Sequence, residues 1–368
     1  MSTVKTNNIL DASGGNTATI NSMTPTADSL QGFRNRIING DMRIDQRNAG
    51  ASVTPTGNAY TIDRWAAGMS QASKFSVQRS TTAPTGFINS ALITSTSAYS
   101  VTSTDRFAFS QFIEGLNCTD LGWGTASAKT MTLSFQVRSS LTGTFGGAFQ
   151  NNASDRSYPF TYTISAANTW ETKTVTVAGD TTGTWLTNNE IGIQVRFSLG
   201  TGSTYSNTAG AWVAGDYRSA TGATSLVGTN GATLYITGVQ IEVGSTATPF
   251  QVRTYGAELA MCQRYFVICA SAADDPFGLA SIATTTNISF AFFMPVTMRT
   301  SPTILNTIST YRLNWQSSGA NSTTAPTIGV ESPQVVTFDQ GGYTGLTAGN
   351  AGTVRHFGTG LLGLSAEL

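Results

Sequence analysis

Apolar and polar residues alternate over short stretches through most of the chain. Phe75 and Val77 stand in one phase, as do Phe107 and Phe109. Met131, Leu133, Phe135 and Val137 interleave with Thr132, Ser134, Gln136 and Arg138, and Tyr158, Phe160, Tyr162 and Ile164 repeat the pattern. Ile191, Ile193, Val195, Phe197 and Leu199 form the longest clean run. A period of two predicts strands with one face packed and the other facing solvent or a neighbour. Leu234 and Ile236 hold one phase, and Val239, Ile241 and Val243 the other. Gly238, at the switch, predicts a β-bulge that flips the register. Asn39-Gly40 and Asn230-Gly231 read as turns, the first as a hairpin signal. About eight such strands between turn signals predict an all-β chain with a large jelly-roll β-sandwich over residues 33–253.

The one helical pattern follows, over residues 254–266. Tyr255, Leu259, Cys262 and Phe266 fall at spacings of 4, 3 and 4, on one helical face, and Thr254 can cap the start. So short a helix must pack on something, and these four residues are the expected contacts between copies of the chain. Residues 267–368 return to β and predict a smaller C-terminal β domain. Ile288, Phe290 and Phe292 alternate there, and Leu361, Leu362, Leu364 and Leu368 make an apolar tail expected to be buried between subunits. Residues 1–32 carry no periodic apolar pattern and are expected to form an arm that orders on docking to a partner.

Composition narrows the function classes. Charged residues are 11% of the chain, against a usual value of about 25%. Lys+Arg and Asp+Glu are both 20, and no basic run offers a footprint for nucleic acid. No apolar stretch approaches a membrane helix of roughly 18 residues, and no charged-then-apolar leader opens the sequence. Cys118, Cys262 and Cys269 are too few for a disulfide framework and read as reduced thiols. Few charges on a Thr/Ser/Gly-rich β protein suit a fixed assembly whose sheet edges are occupied.

Catalytic constellations are absent from the sequence pattern. There is no nucleophile elbow, phosphate loop or His-Glu-x-x-His, and His356 is the sole histidine. No catalytic residue, metal site or cofactor is implied. The aromatic inventory is more informative. Tyr205, Trp212, Tyr217 and Arg218 fall in a long loop rich in Gly, Ser and Thr, and Tyr311 and Trp315 lie in the C-terminal domain. Aromatic faces with arginine nearby are the candidate ligand-binding groups, sugar rings being the ligand they suit. The competing expectation is that these aromatics anchor loops or fill gaps between subunits.

Arg36-Ile37-Ile38-Asn39-Gly40-Asp41 followed by Asp63-Arg64-Trp65 resembles the start of a β-sandwich in tail-fibre-like virion proteins of bacteriophages. Val239-Gln240-Ile241-Glu242-Val243-Gly244 and Glu258-Leu259-Ala260-Met261-Cys262-Gln263-Arg264-Tyr265-Phe266 extend the resemblance. The sandwich is also similar to jelly-roll carbohydrate-binding modules. The resemblance implies a non-enzymatic virion protein, assembled in a host cytoplasm. It implies a homotrimer that joins another tail protein through its N-terminal arm and contributes to host attachment, with a surface glycan or protein as receptor. The alternatives are a carbohydrate-binding accessory module and a polysaccharide depolymerase spike.

Overall fold

The computed structural model describes residues 34–315, 318–357 and 359–368. The expected arm of residues 1–32 lies outside them. The described chain is mostly β-strand, with antiparallel pairing throughout except for one two-residue parallel pair, as an all-β sandwich requires.

The first half contributes β1 (Ala59–Ile62), β2 (Trp65–Met69), β3 (Phe75–Ser80), β4 (Ser90–Ser95), β5 (Arg106–Glu114), β6 (Met131–Ser139) and β7 (Gly143–Gln150). It continues with β8 (Arg156–Ile164), β9 (Glu171–Val177), β10 (Ile191–Thr201), β11 (Ser206–Asn207), β12 (Val213–Ala214), β13 (Ser219–Ala220) and β14 (Thr233–Val243). One sheet runs β1-β2-β5-β10-β7-β8-β12 and the facing sheet β3-β4-β14-β6-β9, while β11 and β13 pair within the long loop. The inward phases of both sheets meet in one core. Trp65, Phe109, Phe145, Phe149, Phe160 and Phe197 come from the first sheet, and Phe75, Ile93, Leu133, Phe135 and Ile241 from the second. Phe135 meets Phe197 edge-on across the sandwich with ring centroids 5.0 Å apart. Burial of these apolar faces is the main stabilising term. The sandwich has more strands than the alternation revealed: β11, β12 and β13 are two residues each, β4 carries Ala91, Leu92 and Ile93 in succession, and β7 is interrupted by Gly146 and Gly147.

Gly238 has φ +60°, and the pairing of β14 with β6 shifts register between Thr237 and Gln240. The bulge turns Leu234, Ile236, Val239 and Ile241 all into the core, as their change of phase demands. Asn39-Gly40 behaves differently from the hairpin expected of it. It forms a turn that lies against β14, with Val239 N donating to Gly40 O at 2.9 Å. A Cβ on Gly40 would sit 2.2 Å from Val239 O, so glycine is required for close approach of two backbones. Asn39 is buried, and its amide donates to Ile44 O and Asp63 O.

Helix α1 (Tyr255–Gln263) follows, capped by Thr254 Oγ1, which accepts from Ala257 N at 3.4 Å. It is shorter than its periodicity predicted because Phe266 pairs with Ser365 in a strand. The C-terminal domain contains β15 (Phe266–Ala270), β16 (Pro276–Ile282), β17 (Ile288–Phe293), β18 (Thr303–Asn306) and β19 (Tyr311–Trp315). It ends with β20 (Ser318–Ser322), β21 (Thr327–Glu331), β22 (Val335–Gln340), β23 (Ala351–His356) and β24 (Leu362–Ser365). They form a three-stranded sheet, β15-β24-β18, and a seven-stranded one, β20-β19-β23-β16-β17-β22-β21, around a second core.

The apolar face of α1 is used within the chain. Leu259, Cys262 and Tyr265 pack with Ile38 and Ile44 in a small cluster between the two cores, and Phe266 is buried in β15. Tyr255, at 57% exposure, and half-buried Leu259 remain accessible. Cys262 and Phe266, expected as contacts between copies, are instead buried within one chain. Leu362 and Leu364 are likewise buried in their own chain, on β24.

Ion pairs reinforce this joint. Arg64 lies 3.4 Å from the centre of the Tyr265 ring and donates to Glu367, while Arg47 reaches Glu367 at 3.0 Å and Asp63 at 3.4 Å. Burial alone would push Arg64 down, but Glu367, Tyr265 and Tyr60 hold it above the ordinary arginine range. Glu114 accepts from Arg264 at 3.0 and 2.6 Å and from the Tyr265 hydroxyl at 2.6 Å. Glu258 accepts from Asn39 N at 2.5 Å and is paired with Arg253 at 3.2 Å.

Candidate ligand cleft

In β5 and β10 the inward positions are filled by Phe107, Phe109, Ile113, Ile193, Val195, Phe197 and Leu199. Strand geometry places their alternate neighbours on the opposite face. Those neighbours are Arg106, Ala108, Ser110 and Phe112 on β5 and Gln194, Arg196 and Ser198 on β10. Flanking strands carry small side chains there, Ala66 and Gly68 on β2 and Gly146 and Ala148 on β7. Bulk rises at the margins, with Tyr60 and Met69 on one side and the loop after β10 on the other. The result is a cleft of about 390 Å³ on the outer face of the seven-stranded sheet. Its lining includes Tyr60, Gly68, Arg106, Ser110, Arg196 and Arg218.

Arg196 lies on the floor, 7% exposed. Its Nε donates to Gln150 Oε1 at 2.7 Å and its Nη2 to Gln194 Oε1, which fixes the guanidinium plane. Burial, then the neighbouring Arg218 charge, pushes Arg196 down to about 9; Asp216 opposes this and Arg106 adds to it. Arg218 forms a fork with Asp216, at 2.9 and 2.8 Å. Burial would raise Asp216, but hydrogen bonds from Arg218 and Gln150 bring it below the usual carboxylate range. The Tyr205 ring is shared by two cations, with Arg106 Cζ 5.1 Å and Arg218 Cζ 5.5 Å from its centre. Ser110 Oγ is buried without a hydrogen-bond partner among the described residues. The arrangement offers oriented donors, an aromatic wall and a polar floor, the parts a sugar-sized ligand requires.

The aromatic loop thus divides. Arg218 lines the cleft, whereas Tyr205, Tyr217 and Trp212 do not; Tyr205 stands behind it, with its ring against Arg106 and Arg218. Trp212 packs edge-on with Trp123, Trp185 and Tyr158, each pair of centroids 5.2 Å apart, and donates its indole N–H to Ala178 O at 2.7 Å. Tyr217 is half-buried, and its backbone N–H donates to Ser157 Oγ. Tyr311, expected as a ligand group, is fully buried in the C-terminal core with its hydroxyl on Asn306 Oδ1 at 2.6 Å. Trp315 packs half-buried against that core. Arg106, Arg196, Ser110 and Gln194 escaped sequence reading, because polar residues in the outward phase look like any solvated strand face. The signal that was available is the pair of small outward residues on β2, Ala66 and Gly68, which predicts a concavity.

A second cleft of about 380 Å³ lies on the facing sheet, between Phe87, Gln136, Thr172 and Phe250, and no charged side chain lines it. Among the described residues no group of three or more His, Cys, Asp or Glu side chains is placed to hold a metal ion. His356 is buried in β23. No helix among the described residues is long and apolar enough to cross a membrane.

No protein-family model matches the chain, and no curated protein sequence does. Solved structures with partial likeness include the enzymatically active domain of tailspike protein 4 from bacteriophage CBA120. It has a TM-score of 0.34 at 11% identity, over 58% of this chain and 22% of the tailspike chain. TmCBM61, solved with β-1,4-galactotriose, has a TM-score of 0.28 at 10% identity, over 57% of this chain and 99% of the module. The family 11 carbohydrate-binding module of a Clostridium thermocellum cellulosomal cellulase has a TM-score of 0.26 at 12% identity, over 55% of this chain and 100% of the module.

Proposed function

We propose that the chain is a non-enzymatic phage tail appendage whose first sandwich binds a glycan of the host surface. The observation that carries the binding half is the cleft itself. It combines buried, hydrogen-bonded Arg196, an aromatic wall at Tyr60 and Phe112 and the uncommitted hydroxyl of Ser110 on a rigid sheet. The virion half rests on the sequence resemblance of the segments around Asn39-Gly40, Asp63-Arg64-Trp65 and Gln263-Arg264-Tyr265. In this reading the arm of residues 1–32 joins another tail protein, and the chain works as a homotrimer. Low charge and the exposed Leu279, Phe293 and Val330 of the C-terminal domain favour self-association, with a second copy as the occupant. The deciding experiment is immunogold labelling of intact particles together with adsorption of the purified chain to host cells. Label on a tail appendage and saturable adsorption are expected. Unlabelled particles overturn the virion half, and absent adsorption overturns the binding half.

A further inference from the structure

We infer that the glycan held in this cleft carries an oxyanion, which the guanidinium groups of Arg106, Arg196 and Arg218 engage. The inference rests on the glycan-binding reading and adds the chemical class of the ligand. Three arginines line the cleft, and the acid that faces them is Asp216. The side chains at the cleft thus carry an excess of positive charge. In a chain with 11% charged residues, such a concentration in one concavity is a specific investment in anion attraction.

The donors are also incompletely used. The Arg106 side chain makes no hydrogen bond and no ion pair among the described residues, and stacks only on Tyr205. Arg196 donates through Nε and Nη2, leaving Nη1, and Arg218 donates through Nε and Nη2 to Asp216, leaving its own Nη1. Mutual repulsion is evident at Arg196, which both other arginines push downward. An anion placed among them relieves that repulsion and meets charge-assisted donors, which are shorter and stronger than neutral ones. A neutral sugar would leave the repulsion in place. Tyr60, on the lining, serves as a wall for a sugar while the arginines read the charged substituent.

The oxyanion can be a sugar carboxylate or a phosphate substituent, since guanidinium pairs with both. The test uses host surface polysaccharide in three forms: native, carboxyl-reduced by carbodiimide and borohydride, and dephosphorylated with aqueous hydrofluoric acid. Binding of the full chain is measured by biolayer interferometry at rising salt. Expected are tight binding to the native polymer, loss with one of the two treatments and weakening as salt rises. Arg106→Gln should keep the melting temperature within about 3 °C of the native value, losing its stacking on Tyr205 but no internal hydrogen bond, and weaken binding about tenfold. Loss on carboxyl reduction assigns a uronate-type sugar, and loss on dephosphorylation a phosphorylated one. Equal binding to all three forms, with a flat salt response and unaltered Arg106→Gln, keeps the glycan reading and overturns the anionic one. Absence of binding to every form overturns both.

Discussion

Trp212→Ala separates packing from ligand contact in the aromatic loop. Trp212 touches three aromatic rings, each at a centroid distance of 5.2 Å, and is half-buried. Truncating a fully buried tryptophan costs roughly 3–5 kcal/mol. Half burial reduces the transfer part to about 2 kcal/mol, and the lost edge-to-face contacts add about 0.5–1 kcal/mol. The indole hydrogen bond to Ala178 O lies near the surface, where water replaces it at little cost. A loss of about 2–3 kcal/mol in a sandwich of this size lowers Tm by about 5–10 °C. Differential scanning fluorimetry measures the shift, and binding below the new Tm should match the wild-type chain because Trp212 does not line the cleft. An unchanged Tm with lost binding would refute this reasoning and return Trp212 to the ligand surface.

Three further outcomes follow from the joint between the domains. Glu367→Gln removes the counter-charge of buried Arg64 and one of the two acids that meet Arg47, and should cost about 3–5 kcal/mol in urea unfolding; a loss below about 1 kcal/mol contradicts the role given to this network. Gly40→Ala forces a Cβ against Val239 O and should destabilise by at least about 2 kcal/mol, read from the same curves; a neutral effect would show that the turn can move off β14. Burial raises Asp63 from 3.8 to about 6, against the pull of Arg47. Its protonated form favours the folded state, so this contribution is full below about pH 4 and is lost as pH rises through about 6, by up to about 3 kcal/mol. Asp63→Asn should therefore flatten the stability profile between pH 4 and 6 relative to the wild-type chain, and an identical profile would contradict the shift.

The sequence was most legible where alternation was strict. The phases of β5, β6, β8, β10 and β14 named the core, and Gly238 named the bulge. The motifs were visible but their meaning was not. Asn39-Gly40, Asp63-Arg64-Trp65, Glu258 and Arg264-Tyr265-Phe266 converge from distant positions on one joint, with Trp65 Nε1 on Asn39 O at 3.0 Å and Gln46 Nε2 on Phe266 O at 3.0 Å. Long-range ion pairs between such segments leave no periodic trace. The helix misled for a related reason. An apolar face shows that something covers it, not whether the cover belongs to the same chain. The cleft was legible only in part, through Arg218, because a sheet face shows its concavity only once non-consecutive strands are brought together.

The central claim, that a glycan lies in the cleft over β2, β5 and β10, is tested most directly by filling it. Gly68 lines the cleft, and a Cβ there meets no atom closer than 3.9 Å, so its first carbon is accommodated without moving the backbone. Phenylalanine favours strands and should leave Tm within about 2 °C of the wild-type value. Isothermal titration of Gly68→Phe with native host surface polysaccharide is the measurement. The account predicts a folded chain with no detectable binding; unchanged affinity in a folded Gly68→Phe chain would place the ligand elsewhere and contradict it.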